Sequence, residues 1–345
     1  MSSLLADDVV RPVLLVGSFP YSTAGETLAV SGPALRGVVQ RLTDGEPQGW
    51  TTFPGKFMGE VDALEPDEDF TQLINRRIPH YRVKKGYTSQ QIHFKPAGYA
   101  EIVRNSYAIF RQLKQDGKIA EGVRFQQSLP TPFGVMAQYI RKDIETVLPS
   151  YEKTLFGELR QICSIVPLHE LAIQWDIAVE VVGGLERHFP DLLDRFPMEQ
   201  LAAFTARAAD QVPEPAEMGL HFCYGNPGGK HIIEPRDLGT VVPFCNEIVS
   251  RIRRDVTWVH MPVPIERDDK PYFATLADLR LPPKTEFYLG LVHLRDGLTG
   301  GRRRIEAAKN FRKDFGVATE CGFRYATPDS VPALLELHQQ LARVS

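Results

Sequence analysis

The chain has 345 residues, 43% hydrophobic and 24% charged, with a formal net charge of -3. That composition is ordinary for a soluble globular protein and excludes a disordered chain. The charge offers no basic footprint for nucleic acid, and no apolar run approaches the roughly 20 residues needed to cross a bilayer. Four cysteines, Cys163, Cys223, Cys245 and Cys321, are spread too widely for a disulfide framework and fit reduced thiols able to ligate a metal. The stretch from Met1 to Asp8 has no basic segment and too short an apolar run for a signal peptide, so a cytoplasmic location is expected.

In chain order, Arg11 to Ser18 reads as an apolar strand broken by Gly17-Ser18-Phe19-Pro20. Helical spacing follows from Thr23 to Val39, and a short second strand ends at Thr43-Asp44-Gly45-Glu46. Residues 47–95 contain too few apolar side chains for a core of their own and read as a lid-like excursion from that strand-end loop. The excursion holds Trp50, Phe53 and a basic, aromatic run from Arg76 to Tyr87, whose ordinary meaning is a solvated face and whose alternative is a grip on an anionic substrate tail. Tyr99 to Gln115 is amphipathic with helical period; Gly122 to Pro130 is a third strand carrying Gln126 and Gln127. Ser150 to Ile165 is a helix, Leu171 to Asp176 a fourth strand with Gln174, and helical segments near 181–188 and 198–211 lead to a fifth strand ending in His221 and Cys223. A helix over 237–253, a sixth strand ending at His260, and a seventh from Glu286 to His293 follow. A basic helix over 299–311, with Arg302, Arg303 and Arg304 expected on its outer face, precedes an eighth strand over 316–321 and a closing helix over 328–344.

Eight strands alternating with helices predict an α/β fold, a single (β/α)8 TIM barrel over residues 1–345 with an insertion after the second strand. Ser18, Asp44 with Glu46, Gln126 with Gln127, Gln174 with Asp176, His221 with Cys223, His260, His293, and Glu320 with Cys321 all fall at C-terminal strand ends. In such barrels that face carries the active site, so these stretches converge on one mouth.

Among them, His221 and Cys223 stand two residues apart on an extended segment and so share one face. An imidazole and a thiol side by side suit a soft or borderline metal, and Cys321, at the end of another short apolar run, supplies a third donor of the kind zinc prefers. The alternative is a buried free cysteine beside a core histidine.

Gly17-Ser18-Phe19-Pro20, His221-Phe222-Cys223-Tyr224, His293 and Glu320-Cys321-Gly322, in this order along nearly the whole chain, resemble the catalytic barrel of cobalamin-independent methionine synthase, within the uroporphyrinogen decarboxylase and methionine synthase-like superfamily. Asp44-Gly45-Glu46, the run from His221 through Lys230-His231 to Glu234-Pro235, and Val259-His260-Met261-Pro262 look like a mostly uncharacterised subgroup of it. The resemblance implies zinc held by His221, Cys223 and Cys321, Asp176 on the amino group and Ser18 on the carboxylate of an amino-acid substrate, and His293 as proton donor. Where the synthases have a further glutamate ligand this chain has His260, so either a fourth ligand or a histidine facing substrate is expected there. The N-terminal barrel of full-length synthases has no counterpart in these 345 residues.

Taken together, the expected activity is zinc-dependent transfer of an alkyl group, a methyl in the family, to the thiol of an amino-acid-like small molecule, with folate or a corrinoid as donor. His293, Asp44 or Glu46 would protonate the departing group, Gln174 and Gln127 would assist in binding substrate, and Glu320 would support a ligand or Arg324. A zinc lyase or hydrolase on the same site and a non-catalytic metal-binding barrel are the rival readings.

Overall fold

The computed structural model describes residues 10–47, 55–72 and 77–344. Its strands are β1 (Arg41–Thr43), β2 (Leu64–Gln72), β3 (Arg77–Val83), β4 (Arg124–Pro130), β5 (Leu171–Ile177), β6 (Glu217–Phe222), β7 (Trp258–Pro262), β8 (Glu286–Gly290) and β9 (Gly316–Val317). Seven of them form one curled parallel sheet in the order β1-β4-β5-β6-β7-β8-β9, which is the sequence order. Helices between successive strands cover its outer face, as parallel connections require. Within the excursion, β2 and β3 make a separate antiparallel hairpin with an irregularity between Pro66 and Phe70. Trp50, Phe53 and Arg76 lie outside the described residues.

Two expected strands come out differently. Residues 11–18 form no regular ladder: Val13 makes isolated parallel bridges to Val39 and to Val317, and so reaches both edges of the seven-stranded sheet. The carbonyls beyond it are satisfied from the side, because Gln126 Nε2 donates to Leu15 O at 2.9 Å and Gln174 Nε2 donates to Val16 O at 2.6 Å. Glutamine amides thus take donor positions that a neighbouring strand would fill. The eighth strand is only two residues long, because the chain turns after Ala318, where Thr319 Oγ1 donates to Cys321 O at 2.6 Å. The basic helix also departs from expectation. Arg304 is fully buried, donating to the carbonyls of Leu291 and Ile265 and pairing with Asp296 at 2.8 Å.

Strand alternation sorts the core into two parts. Most buried apolar residues lie between sheet and helices, while Leu14, Val16, Ala172, Trp258, Tyr288 and Ala318 form a separate cluster in the hollow of the sheet. Trp258 belongs also to the layer below, where Arg41, Glu217, Trp258 and Glu286, each the first residue of its strand, make a floor. The Arg41 guanidinium sits 4.4 Å from the Trp258 ring and pairs with Glu217 and, at 2.8 Å, with Glu286. A charge buried this deeply is tolerable only when paired and hydrogen-bonded, and Arg41 has both carboxylates. The strands are therefore filled at their N-terminal ends and open at their C-terminal ends. Among the described residues no helix is long and apolar enough to cross a membrane.

Gly219 pairs with Trp258 in register, and a Cβ there would run into the indole ring. Gly219→Ala should accordingly destabilise the fold by about 1–3 kcal/mol, the usual cost of overpacking, read as a lowered urea midpoint with unchanged slope.

Candidate functional site

β6 brings His221 to its end, and Cys223 follows one residue past the strand on the same face. Cys321 arrives from the loop after β9. One ligand atom from each of these three residues lies within 4.8 Å of the others, and the two Sγ atoms are 3.9 Å apart with no disulfide between them. Two thiolates on one tetrahedral zinc, at about 2.3 Å each, would stand about 3.8 Å apart, so the spacing fits. The Cys321 thiol is pushed up by its hydrogen bond with Cys223 and by burial. Cys163 and Cys245 sit in the helices Ile144–Ile165 and Val241–Arg251 on the outside of the sheet.

His260, expected either as a fourth ligand or facing substrate, is not among these three. Its Nε2 lies 3.0 Å from the Thr319 carbonyl and its Nδ1 2.8 Å from His221 Nδ1. A carbonyl only accepts, so His260 carries its proton on Nε2 and presents a lone pair at Nδ1. His221 must then donate from Nδ1, which leaves its Nε2 lone pair free to ligate. Burial lowers both histidines, His260 to about 3, and the proximity of His260 lowers His221 further. Both rings are neutral at physiological pH.

Beside the sulfurs stands a group of carboxylates set by the turn after β1. Gly45 has φ +83° and Glu46 φ +50°, a left-handed conformation unusual for a residue with a side chain. The turn is held by Asp44, whose Oδ1 accepts from Glu46 N at 2.9 Å and whose Oδ2 accepts from Ser106 Oγ at 2.8 Å. Asp44, named as a possible acid, is thus spent on the turn and does not line the cavity; Glu46 does. Burial first, then the charges of Asp176 and Asp44, push the Glu46 carboxyl well up. Asp176 also lines the cavity, and Gln174 Nε2 donates to its Oδ1 at 2.9 Å. Gln174 therefore orients Asp176. Gln127 points away from the hollow and donates to Ser128 O at 2.7 Å, because the inward parity of β4 belongs to Gln126 and Ser128.

The cavity that unites these groups has a volume of about 210 Å³ and includes Ser18, Glu46, Asp176, His221, Cys223 and Cys321. His293 is not in its lining: its Nε2 donates to Val263 O at 2.8 Å, and its Nδ1 is 3.6 Å from Glu320. Glu320 also takes His231 Nε2 at 3.0 Å. Burial opposes a charge on His231, yet Glu320 and Glu234 outweigh it and raise the imidazole to about 9. Ser128 was not expected at the site, and Arg324 was expected there only as a partner of Glu320. Ser128 would have followed from the parity of β4. Arg324, which lines the cavity and donates to the Glu46 carbonyl, carries no local signal beyond its place after Cys321-Gly322. The basic run of the hairpin is engaged within the excursion: Arg77 stacks on Phe70 at 3.7 Å, Arg82 pairs with Glu65 at 2.9 Å, and Lys84 donates to Asp62 O.

The arrangement defines a soft-donor centre beside paired acids at the C-terminal mouth of a parallel α/β sheet. Its architecture is similar to that of a B12-independent methionine synthase from Shewanella sp. W3-18-1, solved in complex with selenomethionine, with a TM-score of 0.61, 14% identity and 97% of each chain covered. At that identity the likeness establishes the fold, a TIM-like α/β architecture. No protein-family model matches the sequence, and no curated protein does.

The histidine pair has a measurable signature. A histidine held below its ordinary value is neutral in the folded state and takes up a proton on unfolding, so stability is complete above about pH 6.5 and falls as pH drops toward the folded value. From His260 alone the metal-free protein should be about 2 kcal/mol less stable at pH 5 than at pH 7, as measured by urea unfolding. His260→Gln should show a smaller pH dependence.

Proposed function

We propose that this protein is a zinc-dependent transferase that moves an alkyl group, a methyl in the first instance, to the thiol of an amino-acid-like substrate. The observation that carries the reading is the pair of sulfurs at metal-sharing distance beside His221, in one cavity with Glu46 and Asp176. His221 Nε2, Cys223 Sγ and Cys321 Sγ would hold the ion, with one tetrahedral position left for substrate. Zinc bound there supplies a Lewis acid that keeps a substrate thiol deprotonated near neutral pH. Glu46, whose carboxyl is pushed up by burial and then by the charge of Asp176, is relieved by a cation between the two, and the pair would take the substrate's ammonium group. Ser18 and Arg324 stand on the same wall for its carboxylate.

His260 would orient His221, a third role beside the fourth ligand or substrate contact that the sequence left open. His293, set behind Glu320, would exchange protons with the site through that carboxylate. The bridges from Val13 to both sheet edges support closure of the sheet into an eight-stranded barrel, and the presence of Thr71 and Ile78 in the cavity wall supports residues 47–95 as a lid over its mouth.

The purified protein should carry one zinc per chain by elemental analysis. Cys223→Ser and Cys321→Ser should each lose most of it with the fold intact by circular dichroism, whereas Cys163→Ala and Cys245→Ala should keep it. Full occupancy in Cys321→Ser would remove the assignment.

The same centre would also serve a lyase or hydrolase, since a three-donor site leaves its remaining position open to water as well as to a thiol. X-ray absorption at the metal edge separates the two: homocysteine should raise the sulfur count from two to three. A count that stays at two would sink the transferase reading. His260→Ala should leave the nitrogen count unchanged while weakening zinc by about 10- to 100-fold in chelator competition.

A further inference from the structure

We infer that the outer part of the cavity is a subsite for an uncharged, apolar body up to the size of a phenyl ring, attached to the substrate sulfur or carried by the alkyl donor. This rests on the thiol-transferase reading above and specifies its second substrate. The cavity changes character with depth. At the bottom it is polar, with Glu46, Asp176 and the three soft donors. Beyond the strand ends the wall carries Val179 and Phe189 from the segment after β5, Ile232 from the loop after β6 and Ile78 from the hairpin, interrupted by neutral polar side chains such as Asn226 and Thr71. Three separate parts of the chain thus offer hydrocarbon to the same space, and an apolar group entering it would leave water on all these sides.

Charge sorts the possible occupants further. Among the described residues that line the cavity, Arg324 is the one cation, and it already donates to the Glu46 carbonyl deep in the site. An anionic tail laid along the outer wall would lose its hydration and meet neutral side chains but no further cation among the described lining residues, which opposes binding, whereas a neutral chain or ring gains with every methylene removed from water. Tyr325, on the rim, is 51% exposed although it borders the cavity, an aromatic face placed where the outer end of such a group would emerge.

The test is a ladder of thioethers that share one amino-acid head. Isothermal titration of the zinc-supplemented protein with methionine and the S-ethyl, S-propyl, S-butyl and S-benzyl L-homocysteines should show affinity rising about threefold per methylene, with the benzyl compound at least as tight as the butyl. S-(3-carboxypropyl)-L-homocysteine should bind more weakly than the butyl compound. Val179→Asp, or Ile232→Asp in the loop should the first variant fold poorly, should bring the butyl-to-methyl affinity ratio down to about one. Methionine binding without any gain along the series would overturn the subsite while leaving the transferase reading in place, and so would tighter binding of the carboxypropyl compound. Failure of every thioether to bind would remove the transferase reading and the subsite with it.

Discussion

The hydrogen bond from His260 Nε2 to the Thr319 carbonyl is the contact on which the site's geometry turns. It ties the middle of β7 to the short segment between β9 and Cys321, and it decides which nitrogen of His260 faces His221. Through that choice it sets the tautomer of His221 and the direction of its remaining lone pair. One backbone carbonyl therefore couples two of the three soft donors: it fixes the imidazole through two links and belongs to the turn that carries Cys321. The His260 ring is fully enclosed and has no water as an alternative partner, so the arrangement cannot relax without leaving one of its buried nitrogens unpaired.

A second constraint acts below it. The hollow of the sheet has to be filled, and this chain fills it in layers of different chemistry: an ion-paired floor at Arg41, an aromatic and aliphatic layer at Trp258 and Tyr288, glutamine amides at Gln126 and Gln174, and the open site above. The glutamines serve two layers at once. They satisfy the carbonyls of residues 15 and 16, which lack a full ladder, and Gln174 also directs Asp176 into the cavity. The irregularity of the first strand and the placing of a site carboxylate are in this sense one feature.

Much of this was legible beforehand because it follows from periodicity. Apolar runs ending in polar residues located the strands and the face they open on, and a two-residue spacing placed His221 and Cys223 together. What escaped depends on contacts between distant segments. Gln127 was named in place of Ser128 because the inward parity of a strand follows from its register with a neighbour, here Ser128 against Gln174. Asp44 and Glu46 look alike in sequence, yet a left-handed turn turns one into a brace and the other into a cavity wall. His260 could be recognised as special but not assigned, since its role is set by a carbonyl 59 residues away. Arg304, in a run of three arginines, looked like surface until Asp296 and two carbonyls claimed it.

The floor under the site has a kinetic consequence. With Arg41, Trp258 and two glutamates plugging the N-terminal end of the strands, the chamber is closed at that end among the described residues and opens at the other. In a two-substrate reaction carried out there, the molecule that sits against the sulfurs cannot pass one that already occupies the mouth. On the transferase reading proposed above, arrival would be compulsory in order, the thiol first and the donor second, and the spent donor would have to depart before the alkylated product could escape.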